Sequence, residues 1–258
     1  MGHFSKMSFR IGTTSYIYED HILPNVRKLR GSVDDIELIL FEDRDCGNIP
    51  TLEDLTELKD LADESDLTYT VHLPLDINLG DGPVSKRKGE IHRVAKLVNY
   101  FSALKPLAYI LHLNLSKETD KDISAWRLNT SNSLEGLLSL IKVPPEDIAV
   151  ENLHFPFHYV EDIVARNNVS VCVDIGHLNL LREDIFAHLL KHIKRTRVIH
   201  WHGILNGKDH LSLQHVQPEE IKAILDFLRQ HQYRGVVTLE IFNRKDLDES
   251  LDCIQAKI

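Results

Sequence analysis

The hydrophobic positions of the chain fall into two alternating kinds of run. Short, continuously apolar, β-branched runs read as strands buried on both faces. Longer stretches with apolar residues every three to four positions read as helices. The strand runs are 10–14, 35–41, 68–73, 108–113, 148–152, 170–175, 197–201 and 236–242. The helical stretches are 22–29, 52–62, 85–104, 131–141, 157–165, 182–192, 218–231 and 245–255. Thr51 with Asp54 three residues on predicts a helix N-terminus, and Pro218 suits a first helical turn. Pro106 and Pro144-Pro145 mark two helix ends. Eight strands alternating with eight helices predict one (β/α)8 TIM barrel over residues 1–258, the barrel proper running from about 10 to 257. The competing open, doubly wound sheet usually carries a Gly-rich first turn, and Gly12-Thr13-Thr14-Ser15 is not one.

The strand ends hold the chemistry. Six consecutive strands finish on ionisable residues: His72, His112, Glu151, Asp174 with His177, His200 with His202, and Glu240. Strand periodicity gives their direction, because stepping back by two stays on one face. From these residues that step meets Thr70, Ala149, Cys172, Ser170 and Thr238, which are small enough for a barrel lumen. The residues between, Val71, Leu111, Val150, Val173, Ile199 and Leu239, are bulky and apolar and suit the sheet–helix interface. The ionisable set therefore points inward to one axis. Several carboxylates and imidazoles in one apolar-walled pocket are costly unless something pairs them. No Lys or Arg stands near the ends of strands three to six to do so. Divalent cations would, and imidazole and carboxylate ligands suit Zn, Mn, Fe or Co. Two or more ions are expected, with Glu151 placed to bridge them. His200 and His202 lie on the same face, and either can be the ligand.

The loop after strand seven, Asn206-Gly207-Lys208-Asp209-His210-Leu211-Ser212, reads two ways. Asp209 and His210 either add ligands or belong to a polar turn built on Asn-Gly. Lys208 and Arg244 are candidates for a phosphate contact. His92, His154, His158, His188, His192, His215 and His231 are expected at the surface or in packing, and His3 and His21 give no signal.

Composition narrows the picture further. Fifteen histidines in 258 residues exceed ordinary usage, which gives weight to their clustering at strand ends. The net charge of −9 disfavours duplex nucleic acid, and the densest basic stretch, Lys86-Arg87-Lys88, reads as a solvated helix start. Cys46, Cys172 and Cys253 form no CxxC pair and read as reduced thiols. No run approaches the roughly 20 apolar residues of a membrane span, and the first ten residues lack an apolar leader. A cytoplasmic protein acting on a small molecule is expected. No apolar helix face is clear enough to argue an oligomer.

Taken together, His72, His112, Val150-Glu151-Asn152, Asp174-Ile175-Gly176-His177, His200-Trp201-His202 and Glu240 resemble the xylose isomerase-like barrel superfamily, in its apurinic endonuclease-like branch. Within that branch three segments are similar to the cobamide-remodelling phosphodiesterases. They are Ile11-Gly12-Thr13-Thr14-Ser15-Tyr16 with Ile22-Leu23-Pro24-Asn25-Val26, Tyr69-Thr70-Val71-His72-Leu73-Pro74-Leu75-Asp76, and Gly207-Lys208-Asp209-His210-Leu211-Ser212-Leu213. The resemblance implies hydrolysis of the nucleotide-loop phosphodiester of adenosylated cobamides. It places one metal on His72, His112 and Glu151, and a second on Glu151, Asp174, His202 and Glu240. His177 with Asp209 and His210 would hold a third or orient substrate. Catalysis would fall to Glu151, Asp174, Glu240 and His177. The nuclease pattern separates its last Asp and His by one residue, whereas Asp209 and His210 are adjacent here. A sugar isomerase or epimerase with one metal, abasic-site cleavage and a non-catalytic binder are the competing readings.

Overall fold

In the computed structural model, residues 7–41, 48–116 and 122–258 are described. Cys46 lies outside them. Eight strands close a parallel barrel in the order β1-β10-β7-β6-β5-β4-β3-β2. They are β1 (Arg10–Thr14), β2 (Asp35–Ile39), β3 (Thr68–His72), β4 (Tyr109–Leu111), β5 (Ile148–Glu151), β6 (Ser170–Asp174), β7 (Thr196–Trp201) and β10 (Val236–Leu239). Two short strands, β8 (Gly203–Leu205) and β9 (Lys208–Leu211), form a separate antiparallel hairpin above β7. The helices are α1 (Ile22–Leu29), α2 (Leu52–Ser65), α3 (Val84–Phe101), α4 (Ile123–Leu138), α5 (Glu161–Arg166), α6 (Ile175–Leu181), α7 (Ile185–His192), α8 (Pro218–Gln230) and α9 (Arg244–Gln255).

The barrel has two apolar compartments, as the alternation along each strand requires. Val71, Leu111, Val150, Val173, Ile199 and Leu239 all lie in the large sheet–helix core. Ala108, Ile110, Ala149, Cys172 and Val198 form a small second cluster in the lumen. Each large side chain fully buried in the outer core, such as Trp126 or Trp201, contributes roughly 1.5–3 kcal/mol. The seam between β1 and the last barrel strand is pinned by side chains as well as by the ladder. Thr13 Oγ1 donates to the Leu239 carbonyl at 3.1 Å and Thr14 Oγ1 to that of Ile241 at 2.7 Å.

The predicted helix starts at Thr51 and Pro218 are found. Thr51 and Asp54 form a reciprocal capping box, and Pro218 opens α8. Other boundaries differ for physical reasons. The helix expected from residue 131 begins at Ile123, where the Asp122 side chain accepts from the Ala125 amide at 3.0 Å. The polar run Asn129-Thr130-Ser131-Asn132-Ser133 imitates a helix start, yet Thr130, Ser131 and Ser133 are buried inside the helix. The strand expected over 170–175 stops at Asp174 and turns at once into α6, which the sequence did not announce. The loop after β7 is the β8–β9 hairpin, with Asn206 and Gly207 both at positive φ as a tight two-residue turn needs. Among the described residues no helix is long and apolar enough to cross a membrane. Lys86 and Lys88 are exposed on the first turn of α3, as a solvated helix start.

Candidate metal centre

The candidate residues stand where each strand hands the chain to its loop. His72, Glu151, Asp174 and His200 lie within the last two residues of their strands, and His112, His202 and Glu240 follow one residue after theirs. Local devices hold these ends in place. The Asn152 amide group donates to the Asp174 carbonyl at 3.0 Å, and the Asp174 amide donates to Asn152 Oδ1 at 2.7 Å. This clamp locks the ends of β5 and β6 together and so sets Glu151 beside Asp174. Asp174 also caps α6, its Oδ1 accepting from the His177 amide at 2.8 Å. Gly176 is required by a close approach, since a Cβ there would lie 2.0 Å from His202 Cε1. The glycine lets the His202 ring lie against the turn.

The ionisable residues converge on Glu151. His112 Nε2 lies 2.9 Å and His72 Nε2 3.5 Å from Glu151 Oε2. On its other side Glu151 Oε1 is 3.4 Å from His177 Nδ1, which is 3.3 Å from Asp174 Oδ2. His202 Nε2 reaches Asp174 Oδ1 at 3.5 Å. His200 Nδ1 sits 3.2 Å from Glu240 Oε2 and 3.6 Å from Glu151 Oε2. Ligand atoms close to within 4.8 Å of one another in the sets His72–His112–Glu151, Glu151–Asp174–His177 and His202–His210–Glu240. The donor set fits divalent ions on a direct observation. Glu37 Oε1, Asp174 Oδ2, His200 Nδ1, His202 Nε2 and Glu240 Oε2 are buried without a hydrogen-bond partner. An outer contact orients the His72 ring, as a metal-ligating imidazole requires: its Nδ1 lies 2.9 Å from the Leu73 carbonyl, which turns Nε2 toward Glu151. His177 Nδ1, the nitrogen that faces Glu151 and Asp174, also lies 3.0 Å from the Asn152 carbonyl.

Charge follows from this crowding. Burial opposes ionisation of Glu151, but the charges of His112 and His200 and the His112 hydrogen bond outweigh it and hold the carboxyl well below its usual range. Glu240 is likewise held low against burial, by His200 and then His210. Burial works against protonation of His72, yet its bond to Glu151 and the charges of Glu37, Glu151 and Glu240 push it up to about 9. Carboxylates and imidazoles thus stabilise each other's charged forms, and a divalent ion would replace the protons.

The mouth above this cluster is a cleft of about 870 Å³ whose walls include His112, Glu151, His177, Asp209, His210 and Glu240. Its apolar wall is formed by Leu75, Leu115, Leu153, Phe155, Tyr159 and Phe242. Among the described residues lining it there is no Lys or Arg, so nothing in that wall supplies positive charge except imidazole. Lys208 is exposed on the hairpin, and Arg244 is paired to Asp248 at 2.7 Å; neither lines the cleft.

Asp209 and His210 both line the mouth although they are adjacent. His210 has φ of 53°, a left-handed conformation that swings the chain so that consecutive side chains need not oppose each other. Its amide donates to His202 Nδ1 at 3.0 Å, and its Nδ1 lies 3.1 Å from the Glu240 carbonyl. His210 accordingly groups with His202 and Glu240, while His177 groups with Glu151 and Asp174. His200 and His202 both enter the site, one from beneath and one beside Asp174.

Two residues escaped sequence reasoning. Glu37 on β2 is fully buried and its Oε2 accepts from His200 Nε2 at 3.0 Å. The signal was present in Asp35-Ile36-Glu37, where two carboxylates alternate in an apolar strand. His154, expected at the surface or in packing, is exposed but lines the mouth, its ring centroid 4.5 Å from that of His177. His188 and His192 do pack, against Phe157.

Known proteins set this geometry in context. Among solved structures, a D-tagatose 3-epimerase-like protein superposes with a TM-score of 0.75 at 20% identity, covering 96% of this chain and 99% of that one. Endonuclease IV from Thermus thermophilus gives 0.74 at 17% identity, covering 96% and 98%. A 3-keto-D-glucoside 4-epimerase from E. coli gives 0.73 at 16% identity, covering 96% and 98%. At such identities the likeness is one of fold. No curated protein matches the sequence. The xylose isomerase-like TIM barrel family matches residues 30–257, and the chain belongs to that family.

Proposed function

We propose that the protein is a metal-dependent phosphodiesterase, and that its substrate is the nucleotide-loop phosphodiester of an adenosylated cobamide. The observation that supports the reaction class best is the shared position of Glu151. One of its oxygens faces His72 and His112, and the other faces His177 beside Asp174. One carboxylate between two donor groups suits two ions set side by side, the arrangement used for in-line displacement at phosphorus. His72, His112 and Glu151 would hold one ion, and Glu151, Asp174, His202 and Glu240 the other. The chemistry supplied there by divalent ions, when bound, is Lewis acidity toward the phosphoryl oxygens and the attacking water.

The chain's own groups have distinct tasks. Glu151 and Glu240 remain ionised and fix the positive charge at the axis. His154 stands at the mouth beside His177, and partial desolvation and then the charge of His177 lower its pKa and favour the neutral ring. The apolar wall from Leu75 to Phe242 suits a bulky, largely apolar substrate and excludes water from the reacting phosphate. The cobamide itself rests on the sequence resemblance of the opening segment, the β3 segment and the hairpin.

The test is incubation of purified, metal-loaded protein with adenosylated cobamide, with and without chelator, reading products by chromatography and mass. Chelator-sensitive release of a cobinamide species is expected. Intact cobamide would reject the substrate and favour the second reading, a sugar isomerase or epimerase. That reading is supported by the epimerases among the fold neighbours. It needs one ion, with His72 and His112 turned to sugar hydroxyls.

A further inference from the structure

Glu37 is a buried carboxylate that neither ion of the reading above uses. It is fully buried on β2, in register with Thr14 and Thr70, and lies in the lumen beneath His72. Its one hydrogen bond is to His200, and its second oxygen has no partner. A buried carboxylate so sparingly satisfied is costly, which argues for a role beyond packing.

His200 explains it. The ring is fully buried and each of its nitrogens faces a carboxylate. Nε2 makes an aligned hydrogen bond to Glu37, so it keeps the proton of the neutral ring. That leaves a lone pair on Nδ1, which faces Glu240 Oε2 at 3.2 Å and Glu151 Oε2 at 3.6 Å and makes no aligned hydrogen bond. A lone pair aimed at two carboxylates is repulsive unless a proton or a metal ion lies among the three, and a divalent ion bound there would take the proton's place. The rings of His200 and His72 stack at 5.8 Å and 22°, so His200 has a fixed plane. Donor atoms of Glu37, His72, His200 and Glu240 all lie within 4.8 Å of one another.

We propose that Glu37 is a positioning residue that holds the Nε2–H of His200 and thereby aims its Nδ1 into the metal centre as a ligand from beneath. The centre then has an imidazole floor in addition to His202. This rests on the divalent centre of the reading above and is independent of the substrate.

Cobalt(II)-loaded protein tests it, with affinity read by chelator competition and ligand geometry by the visible ligand-field spectrum. Glu37→Gln retains an acceptor at the same reach, and Glu37→Leu removes it at similar volume. Glu37→Gln should stay within about threefold of the parent affinity, and Glu37→Leu should lose about 10–100-fold, as removal of an orienting partner does. The Glu37→Leu spectrum should shift in the same sense as that of His200→Ala. Parent affinity and spectrum in folded Glu37→Leu would overturn the proposal. Equal losses in the Gln and Leu variants would assign Glu37 to charge balance and also overturn it. If Glu37→Leu does not fold, nitrogen NMR of zinc-loaded parent protein decides. A protonated Nε2 with a metal-shifted Nδ1 on His200 supports the role, and a protonated or unshifted Nδ1 contradicts it. Parent protein that takes up no cobalt would reject the centre itself, a failure distinct from parent-like metal binding in Glu37→Leu.

Discussion

Asp35 and Glu37 stand two residues apart on one strand, both fully buried in the lumen, yet their surroundings are opposites. Asp35 is closed off by the protein: Thr68 Oγ1 donates to its Oδ2 at 2.6 Å and Thr70 Oγ1 to its Oδ1 at 3.0 Å. Burial pushes it up to about 7, against the pull of those hydroxyls. Beside it the lower lumen is small and apolar, with Ala108, Ala149 and Cys172. One layer up, five buried atoms of Glu37, Asp174, His200, His202 and Glu240 have no hydrogen-bond partner. The same strand holds one buried carboxylate that the protein satisfies with two hydroxyls and, two residues on, one that it leaves half open. Folding alone would favour closing both levels. The upper level therefore makes physical sense as a site completed by cations.

That contrast can be broken from above. Glu151→Ala removes the carboxylate common to both donor groups and should lower turnover at least about 10³-fold. Circular dichroism should still report a folded barrel, because Glu151 is not part of the apolar cores. Metal removal should come next in size. Ions at about a hundred times their dissociation constant add about 2.7 kcal/mol, which for a chain of this length is roughly 5–10 °C in Tm. Calorimetry with and without chelator measures it, and Glu151→Ala should show much less of the effect. Gly176→Ala is subtler, because a methyl group must displace the His202 ring. Chelator competition should show metal affinity weakened about 10–100-fold.

The lower level should respond in the reverse way. Asp35 has a folded pKa raised to about 7 from 3.8, so the folded state holds its proton longer than the unfolded chain does. Its contribution to stability therefore falls as pH rises from about 4 to about 7, and stays low above that. Asp35→Asn keeps partners for Thr68 and Thr70 without the charge. It should raise Tm by a few degrees, roughly, at pH 8 and leave it unchanged near pH 3. Metal content should not move. A loss of metal in that variant would show that the two levels are not independent.

How much of this was legible in the sequence follows from where the signal is periodic. Alternation along strands gave the barrel and the inward aim of His72, Glu151, Asp174 and Glu240, because a lumen and an outer core demand different side-chain sizes. The same alternation ran through Asp35-Ile36-Glu37, but that strand has no histidine at its end to draw the eye. The early start of α4 was hidden by buried Ser and Thr, which look like turn residues until their packing partners are known. α6 was hidden because its cap, Asp174, also closes the preceding strand. The inward turn of both Asp209 and His210 depends on one left-handed residue, a backbone property that side-chain chemistry does not declare. His154 belongs to the mouth through loop geometry alone.

The most direct test of the central claim is the number of divalent ions bound per chain, counted by mass spectrometry of the elements after reconstitution and removal of free metal. Two or more ions in the parent protein, falling in Glu151→Ala, is the predicted result. A parent protein that binds none would contradict the centre, and one that binds a single ion unaffected by Glu151→Ala would contradict the bridging role on which the hydrolytic reading stands.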